Sequence, residues 1–345
     1  MWGRQLPVEF IYLQLKTLQM EMVRLENLLL LNNKVKNMLR RSIVLIIMIM
    51  PTFLFSQQYE RPGSATCTFL NIGVSPRAAG MGDSYFAVAN GAEAVYYNPA
   101  ILANLKGLNV SANHNEWFAN ISHDFLALAQ NFNNLGALGV SLTYLSTDEM
   151  NVTTPLQPEG TGETFYSTNY RIGLSYARGL TNYVSFGGSV YYIKSSLYDT
   201  FEQSAVSGDI SVIYVTDFRN FRFGMKIANF GSSITYVNEQ YPLPINFIFG
   251  MAINVLQSES QTVLLCATGM KPSDDQTLTR AGLEWSFKDF LFIRGGYKFN
   301  DDIATYSFGA GFKVGIERYQ LRIDYAYSEY GLLGVAHRFG FNFVL

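Results

Sequence analysis

From Gly107 to Leu345 apolar and polar residues alternate with period two, the spacing of strands whose successive side chains point to opposite faces. Tyr319, Leu321, Ile323, Tyr325 and Tyr327 share one face, and Gln320, Arg322, Asp324 and Ala326 the other. In the closing segment Val335, Phe339, Phe341, Phe343 and Leu345 stand against Ala336, Arg338, Gly340 and Asn342. Phe221, Phe223, Met225 and Ile227 likewise oppose Arg222, Gly224, Lys226 and Ala228, and Leu283, Trp285 and Phe287 oppose Arg280, Gly282, Glu284 and Ser286. The pattern predicts fourteen strands, at 107–115, 121–130, 136–145, 165–176, 184–194, 203–214, 221–229, 245–255, 261–270, 277–286, 291–299, 303–314, 319–327 and 334–344. Only 261–270 alternates poorly. About nine to eleven residues is what a tilted strand needs to cross a bilayer, and an even strand number lets an antiparallel sheet close. Long connections at 146–164 and 230–244 follow odd-numbered strands, whereas those after even-numbered strands are short, as at 178–183, 287–290 and 315–318. That asymmetry is the one shown by outer-membrane barrels, with both barrel ends on the short-turn side.

Composition decides between a soluble sandwich and a membrane barrel. Charged residues make up 15% of the 345, against roughly 25% in a soluble domain. Apolar residues are 48% and aromatics 15%, with 26 Phe, 22 Tyr and 29 Gly. The polar face of the strands is thin in charge and rich in Gly and Ser, while the apolar face is long and aromatic. Hydrocarbon tolerates no unpaired backbone groups, so such a sheet must close. The expected fold is all-β, a 14-stranded antiparallel transmembrane β-barrel over 107–345, in contact with outer-membrane lipid. Disorder and a disulfide-stapled mini-domain are excluded by the aromatics, the length and the two cysteines. A net charge of −2 argues against nucleic acid as a partner.

Arg40 and Arg41 precede a 13-residue apolar run, 43–55, followed by Ser56. A membrane helix needs about 20 residues, so this reads as a secretory signal peptide at 38–56. Residues 1–37 are then an N-terminal extension or the product of a mis-assigned start. A Leu-rich amphipathic helix is the competing reading. No cysteine follows the apolar run at the cleavage point, so a lipid anchor is not indicated. At the other end Arg338, Gly340, Phe343 and Leu345 have the spacing of the terminal-strand signal read by the barrel-assembly machinery.

Between leader and barrel, 57–106 is rich in small residues and alternates weakly. It contains Arg77-Ala-Ala-Gly80-Met-Gly82, and then Tyr97-Asn98-Pro99-Ala100. These blocks resemble the N-terminal signature of the PorV/PorQ family, part of the wider FadL-like group of fourteen-stranded outer-membrane barrels. The family usually carries Trp or Phe where this chain has Tyr97. The resemblance implies that residues of roughly 60–105 form a plug, or hatch, inside the lumen. Gly80 and Gly82 permit tight turns and close backbone approach, and Asn98 can cap the short segment after Pro99.

Little else in the chain points to chemistry, and no enzyme or cofactor is expected. His114, His123 and His337 lack metal-ligand spacing. No G-x-S-x-G is present, and Gly80-Met-Gly82 lacks the spacing of a nucleotide loop. Asp274-Asp275 and Asp301-Asp302 fall in outer loops, as solvated turn residues or as a divalent-ion bridge to lipopolysaccharide. Cys67 and Cys266 stand as a plug-to-wall disulfide or as free thiols. On the inward face fall Arg222, Lys226, Arg280, Glu284, Arg294, Lys298, Lys313, Arg322, Asp324 and Arg338. This basic lining would either guide an anionic solute or pair with Asp83, Glu93 and hatch carbonyls to hold the plug.

Two functions compete. The resemblance implies a non-catalytic barrel of type IX protein secretion. It would bind cargo C-terminal signal domains and work with the translocon and the attachment complex. The loops 146–164 and 230–244 would be the contact regions, with Tyr236, Tyr241 and Pro242 as apolar anchors. The alternative is a FadL-like channel for hydrophobic small molecules such as fatty acids, which a kink in a strand wall beside the plug would favour.

Overall fold

A computed structural model describes residues 62–345 apart from 199, 200, 237, 302, 304 and 318. The leader expected at 38–56 and the extension at 1–37 lie outside the described residues. The strands are β1 (Leu108–Glu116), β2 (Ser122–Asn131), β3 (Ala137–Ser146), β4 (Met150–Asn151), β5 (Thr164–Phe165), β6 (Thr168–Gly179), β7 (Val184–Ser196), β8 (Glu202–Val215) and β9 (Arg222–Gly231). They continue with β10 (Ile234–Tyr236), β11 (Glu239–Tyr241), β12 (Asn246–Gln257), β13 (Gln261–Pro272), β14 (Leu278–Phe287), β15 (Leu291–Phe299), β16 (Tyr306–Ile316), β17 (Tyr319–Glu329) and β18 (Val335–Val344).

Fourteen of these form a closed antiparallel barrel in chain order, as the alternation predicts. Closure is made by β18 against β1, in a register running from Asn109 opposite Val344 to Glu116 opposite His337. The other four make two small hairpins, β4–β5 and β10–β11, within the long connections. Those hairpins are too short to be seen as alternation. The strand expected at 165–176 instead runs 168–179, because Phe165 belongs to the loop hairpin as the end of β5.

The period-two pattern becomes an inside and an outside. In β3, Ala137, Gly139, Ser141 and Thr143 point inward, while Leu138, Val140, Leu142 and Tyr144 are exposed. The same holds for Ile172, Leu174 and Tyr176 in β6 and for Phe308, Phe312 and Val314 in β16. A soluble protein would not present so continuous an apolar belt to water; a bilayer welcomes it. No helix among the described residues is long and apolar enough to cross a membrane.

The segment before β1 fills the lumen from end to end. It starts at the long-loop end, where the Thr66 amide donates to the Pro242 carbonyl, and finishes at the short-turn end, where Leu108 and Leu345 exchange backbone hydrogen bonds. Short helical turns carry it, at Thr68–Asn71, Pro76–Gly80, Gly91–Glu93, Ala94–Tyr97 and Pro99–Asn104. Two of them begin with a proline at the first position behind a capping side chain. Ser75 Oγ accepts from the Ala78 amide at 3.4 Å and Asn98 Oδ1 from the Ala100 amide at 3.2 Å. Val74, Met81, Val95 and Leu102 pack against Phe125, Ala129, Ile213 and Leu264 of the wall.

Leu174, 58% exposed, sits on the outward face of β6. Leu174→Arg should destabilise the folded barrel by about 2–4 kcal/mol if it lies near the bilayer midplane. Equilibrium unfolding from lipid vesicles measures this, and an unchanged midpoint would contradict the outward assignment.

Candidate functional site

The candidate site is the contact between hatch and wall. Glycines make that contact close. A Cβ on Gly80 would stand 2.9 Å from the Gly309 Cα, and one on Gly296 would collide with the Gly82 nitrogen. Gly82 also has φ +64°, a left-handed conformation that costs glycine nothing. Gly340 likewise makes room for Pro76, and Gly187 for the Pro99–Ala100 peptide.

Ion pairs join the two surfaces toward the short-turn end. Arg77 donates to Glu284 through Nε at 2.8 Å and Nη2 at 2.6 Å, a bidentate pair. Arg294 donates to the same carboxylate at 2.6 Å and reaches Asp324 at 2.9 Å. Arg322 contacts Glu284 at 3.3 Å and Asp324 at 3.0 Å. Burial works against the charge on Arg77, but Glu284, Tyr85 and Asp324 together outweigh it and hold the guanidinium protonated well above its ordinary range. Glu93 has no ion pair among the described residues; burial pushes its carboxyl up, and the amides of Asn113 and Asn342 donate to it at 3.1 and 3.2 Å. Two polar recesses of about 260 and 370 Å³ open at this end.

A second group lies nearer the long loops. Lys298 meets Asp83 at 2.7 Å, and Arg338 lies 3.7 Å from Asp83 while donating to the Gly73 carbonyl and the Tyr330 hydroxyl. Burial alone would raise the Asp83 carboxyl, but Lys298, Arg338 and Arg280 hold it well below the usual carboxylate range. Lys226 pairs with Asp209 at 2.7 Å and donates to the Tyr96 carbonyl at 2.7 Å. Arg171 lies over the rings of both Tyr96 and Tyr191, 4.8 and 4.3 Å from their centroids. Of these groups Asp83, Tyr96, Arg171 and Lys226 line a chamber of about 60 Å³ between hatch and wall, together with Arg280 and Thr268.

The wall is irregular beside this chamber. The β8–β9 ladder shifts register at Asp209, which lies opposite both Ala228 and Asn229. Asn229 adopts φ +61°, and its amide donates to Asp209 Oδ1 at 2.8 Å. On its other side β9 pairs with β12 only as far as Ala228–Asn246. Above the chamber an apolar cluster closes the mouth: Phe69 and Leu70 of the hatch pack with Leu145, Ile193, Ala205, Ile234 and Leu243.

The residues singled out from sequence are distributed as follows. Arg77, Gly80, Gly82, Asn98 and Pro99 all lie in the hatch, against the wall. Glu284, Arg294, Arg322 and Asp324 form the ion network, while Lys226 and Arg280 line the chamber and Lys298 and Arg338 pair with Asp83 of its lining. Arg222 bonds Asn220, and Lys313 pairs with Asp289 at 2.6 Å, both at the short-turn rim. Of the terminal signal, Arg338 and Gly340 contact the hatch, Phe343 stacks on Tyr319, and Leu345 contributes backbone bonds to Leu108. Two expectations are corrected. Glu93 is held by asparagine amides rather than lumen cations. Tyr236 is not a free loop anchor; it packs on the mouth cluster and donates to Ser195. Of the two states open to Cys67 and Cys266, the structure has the free thiols. Sequence reasoning missed Arg171 and Asp209. Both have the right parity, since Ile172 and Leu174, and Val206 and Ile210, are the exposed neighbours.

No protein-family model matches the sequence, and no curated protein matches it. Solved structures do match. The toluene transporter TodX of Pseudomonas putida aligns over 79% of this chain and 96% of its own, at 12% identity and a TM-score of 0.55. The Ralstonia pickettii toluene transporter TbuX aligns over 79% and 97%, at 12% identity and 0.52. The monoaromatic hydrocarbon channel CymD aligns over 79% and 96%, at 13% identity and 0.52. The fold is that of the FadL-like fourteen-stranded outer-membrane barrels.

Removing the charge of Glu284 strands Arg77 in a buried site and leaves Arg294 and Arg322 to share Asp324 alone. Glu284→Gln should therefore cost about 3–5 kcal/mol of stability. Denaturant unfolding of the purified barrel checks this, and a loss below about 1 kcal/mol, the value of an exposed pair, would contradict it.

Proposed function

We propose that this protein is a non-catalytic, gated outer-membrane channel for hydrophobic small molecules, exported by the leader at 38–56 and inserted by the barrel-assembly machinery. One observation carries the reading: the β8–β9 ladder is broken at Asp209, beside the hatch, where Ala228 and Asn229 line the chamber. Bulges next to functional sites re-aim side chains and interrupt pairing. The apolar cluster at the long-loop mouth supports the same reading, since it offers a hydrophobic solute its first contact. The structural neighbours named above as toluene transporters add a precedent for this barrel shape, at the level of fold.

The chamber is too small to hold such a solute. Benzene fits an apolar cavity of about 150 Å³, against about 60 Å³ here. Passage therefore requires the hatch to move. Its attachment through ion pairs and glycine contacts, with no disulfide among the described residues, is compatible with displacement.

A second reading keeps the PorV/PorQ resemblance of Arg77 to Ala100. In it the sealed barrel binds the C-terminal signal domains of secreted cargo, together with the type IX translocon and attachment complex. It is favoured by the loop between β3 and β6, where Leu156 is 93% exposed and Tyr166 is also bare.

Uptake separates the two. Expressed in a Gram-negative host lacking its own hydrophobic-uptake barrel, the protein should raise the entry rate of labelled toluene or a long-chain fatty acid several-fold. Leu243→Asp, which places a charge in the mouth cluster, should remove most of that gain. No gain in uptake, with loss of surface-attached proteins when the native gene is deleted, would favour secretion.

A further inference from the structure

We propose that the chamber between hatch and wall binds one small monovalent anion, of chloride size, on Arg171, Arg280 and Thr268. The inference is independent of what the barrel transports.

The charges in and around the chamber do not balance. Arg171, Lys226 and Arg280 line it, and Lys298 and Arg338 stand directly behind Asp83. Five cations thus face two carboxylates, Asp83 and Asp209. Lys226 is committed to Asp209, and Lys298 with Arg338 to Asp83. Arg171 and Arg280 have no carboxylate within salt-bridge distance among the described residues. Buried charges are ordinarily paired, because taking an ion out of water without a partner is expensive.

Hydrogen bonding points the same way. Arg171 is 3% exposed, yet its Nε and Nη2 have no acceptor among the described residues. The guanidinium lies over the rings of Tyr96 and Tyr191. Ring contacts engage the face of a guanidinium, whereas its N–H groups lie in the plane. Arg280 Nε and Thr268 Oγ1 are also buried without partners, and their side chains line the same chamber. Asp83 Oδ1 and Asn246 Oδ1 are acceptors without donors there, which water can serve.

Size selects the ligand class. About 60 Å³ accommodates a halide with one or two waters and excludes an aromatic ring or an acyl chain. The anion would bridge Arg171 of β6 and Arg280 of β14 across the lumen, beside Tyr96 and Asp83 of the hatch. It would therefore help to pin the hatch in place.

Two measurements on the purified mature protein test this. Crystals grown in sodium bromide should show an anomalous peak within hydrogen-bonding distance of Arg171 and Thr268. In detergent, the melting temperature should be higher in sodium chloride than in sodium gluconate at equal ionic strength. Arg171→Gln should abolish both effects. If that variant fails to fold, Thr268→Val should raise the chloride concentration needed for half of the stabilisation by about tenfold, the loss of one hydrogen bond to a charge. Absence of the bromide peak, or equal melting in the two salts, overturns the proposal. Elongated density with an apolar tail in the chamber overturns it too, because the occupant would then be a lipid or substrate carboxylate.

Discussion

Closing the sheet is the constraint from which the rest of this structure follows. A strand in hydrocarbon must pair on both edges, so β18 returns to β1 and no edge is left. Closure turns one set of side chains toward lipid and the other into a lumen. A lumen of fourteen strands is too wide for its own small inward residues to fill, and the segment 62–106 occupies it. The hatch needs glycine on both surfaces for backbones to meet, as at Gly80–Gly309 and Gly82–Gly296. It also carries charge on both surfaces, as at Arg77–Glu284 and Asp83–Lys298, beside the apolar contacts with Phe125, Ile213 and Leu264.

The two charged groups differ in kind. Around Glu284 and Asp324 cations and carboxylates are interleaved, and Arg77 is gripped by two hydrogen bonds. Around the chamber the cations outnumber their partners, the ladder is shifted, and cavity volume remains. The first group reads as the anchor of the hatch and the second as the place where it is least firmly held. A route for solutes is better sought along the second, from the mouth cluster of Phe69, Leu70 and Leu243 past Asn229.

Much of this was legible in the sequence, for a physical reason. Period-two alternation is enforced by lipid on one side, so strands such as 319–327 and 334–344 announce themselves residue by residue. The hatch was legible through Arg77, Gly80, Gly82 and Asn98-Pro99, whose chemistry suits close packing and capping. Partners were not. Nothing in the spacing says that Arg77 would choose Glu284, 207 positions away, or that Glu93 would be held by asparagines. The bulge at Ala228–Asn229 was hidden as well, since an extra residue breaks parity only over two positions. Arg171 and Asp209 carry the right parity, but each stands alone among uncharged inward neighbours and draws no notice until the strands are assembled.

In the channel proposed above, the hatch fills the lumen at rest and the lumen opens only when the hatch leaves. Conductance across a planar bilayer containing the purified barrel tests this directly. The intact protein should pass no steady current, and discrete channel openings should appear once residues 62–105 are removed from a barrel shown to be folded. A steady ohmic current through the intact protein would contradict it.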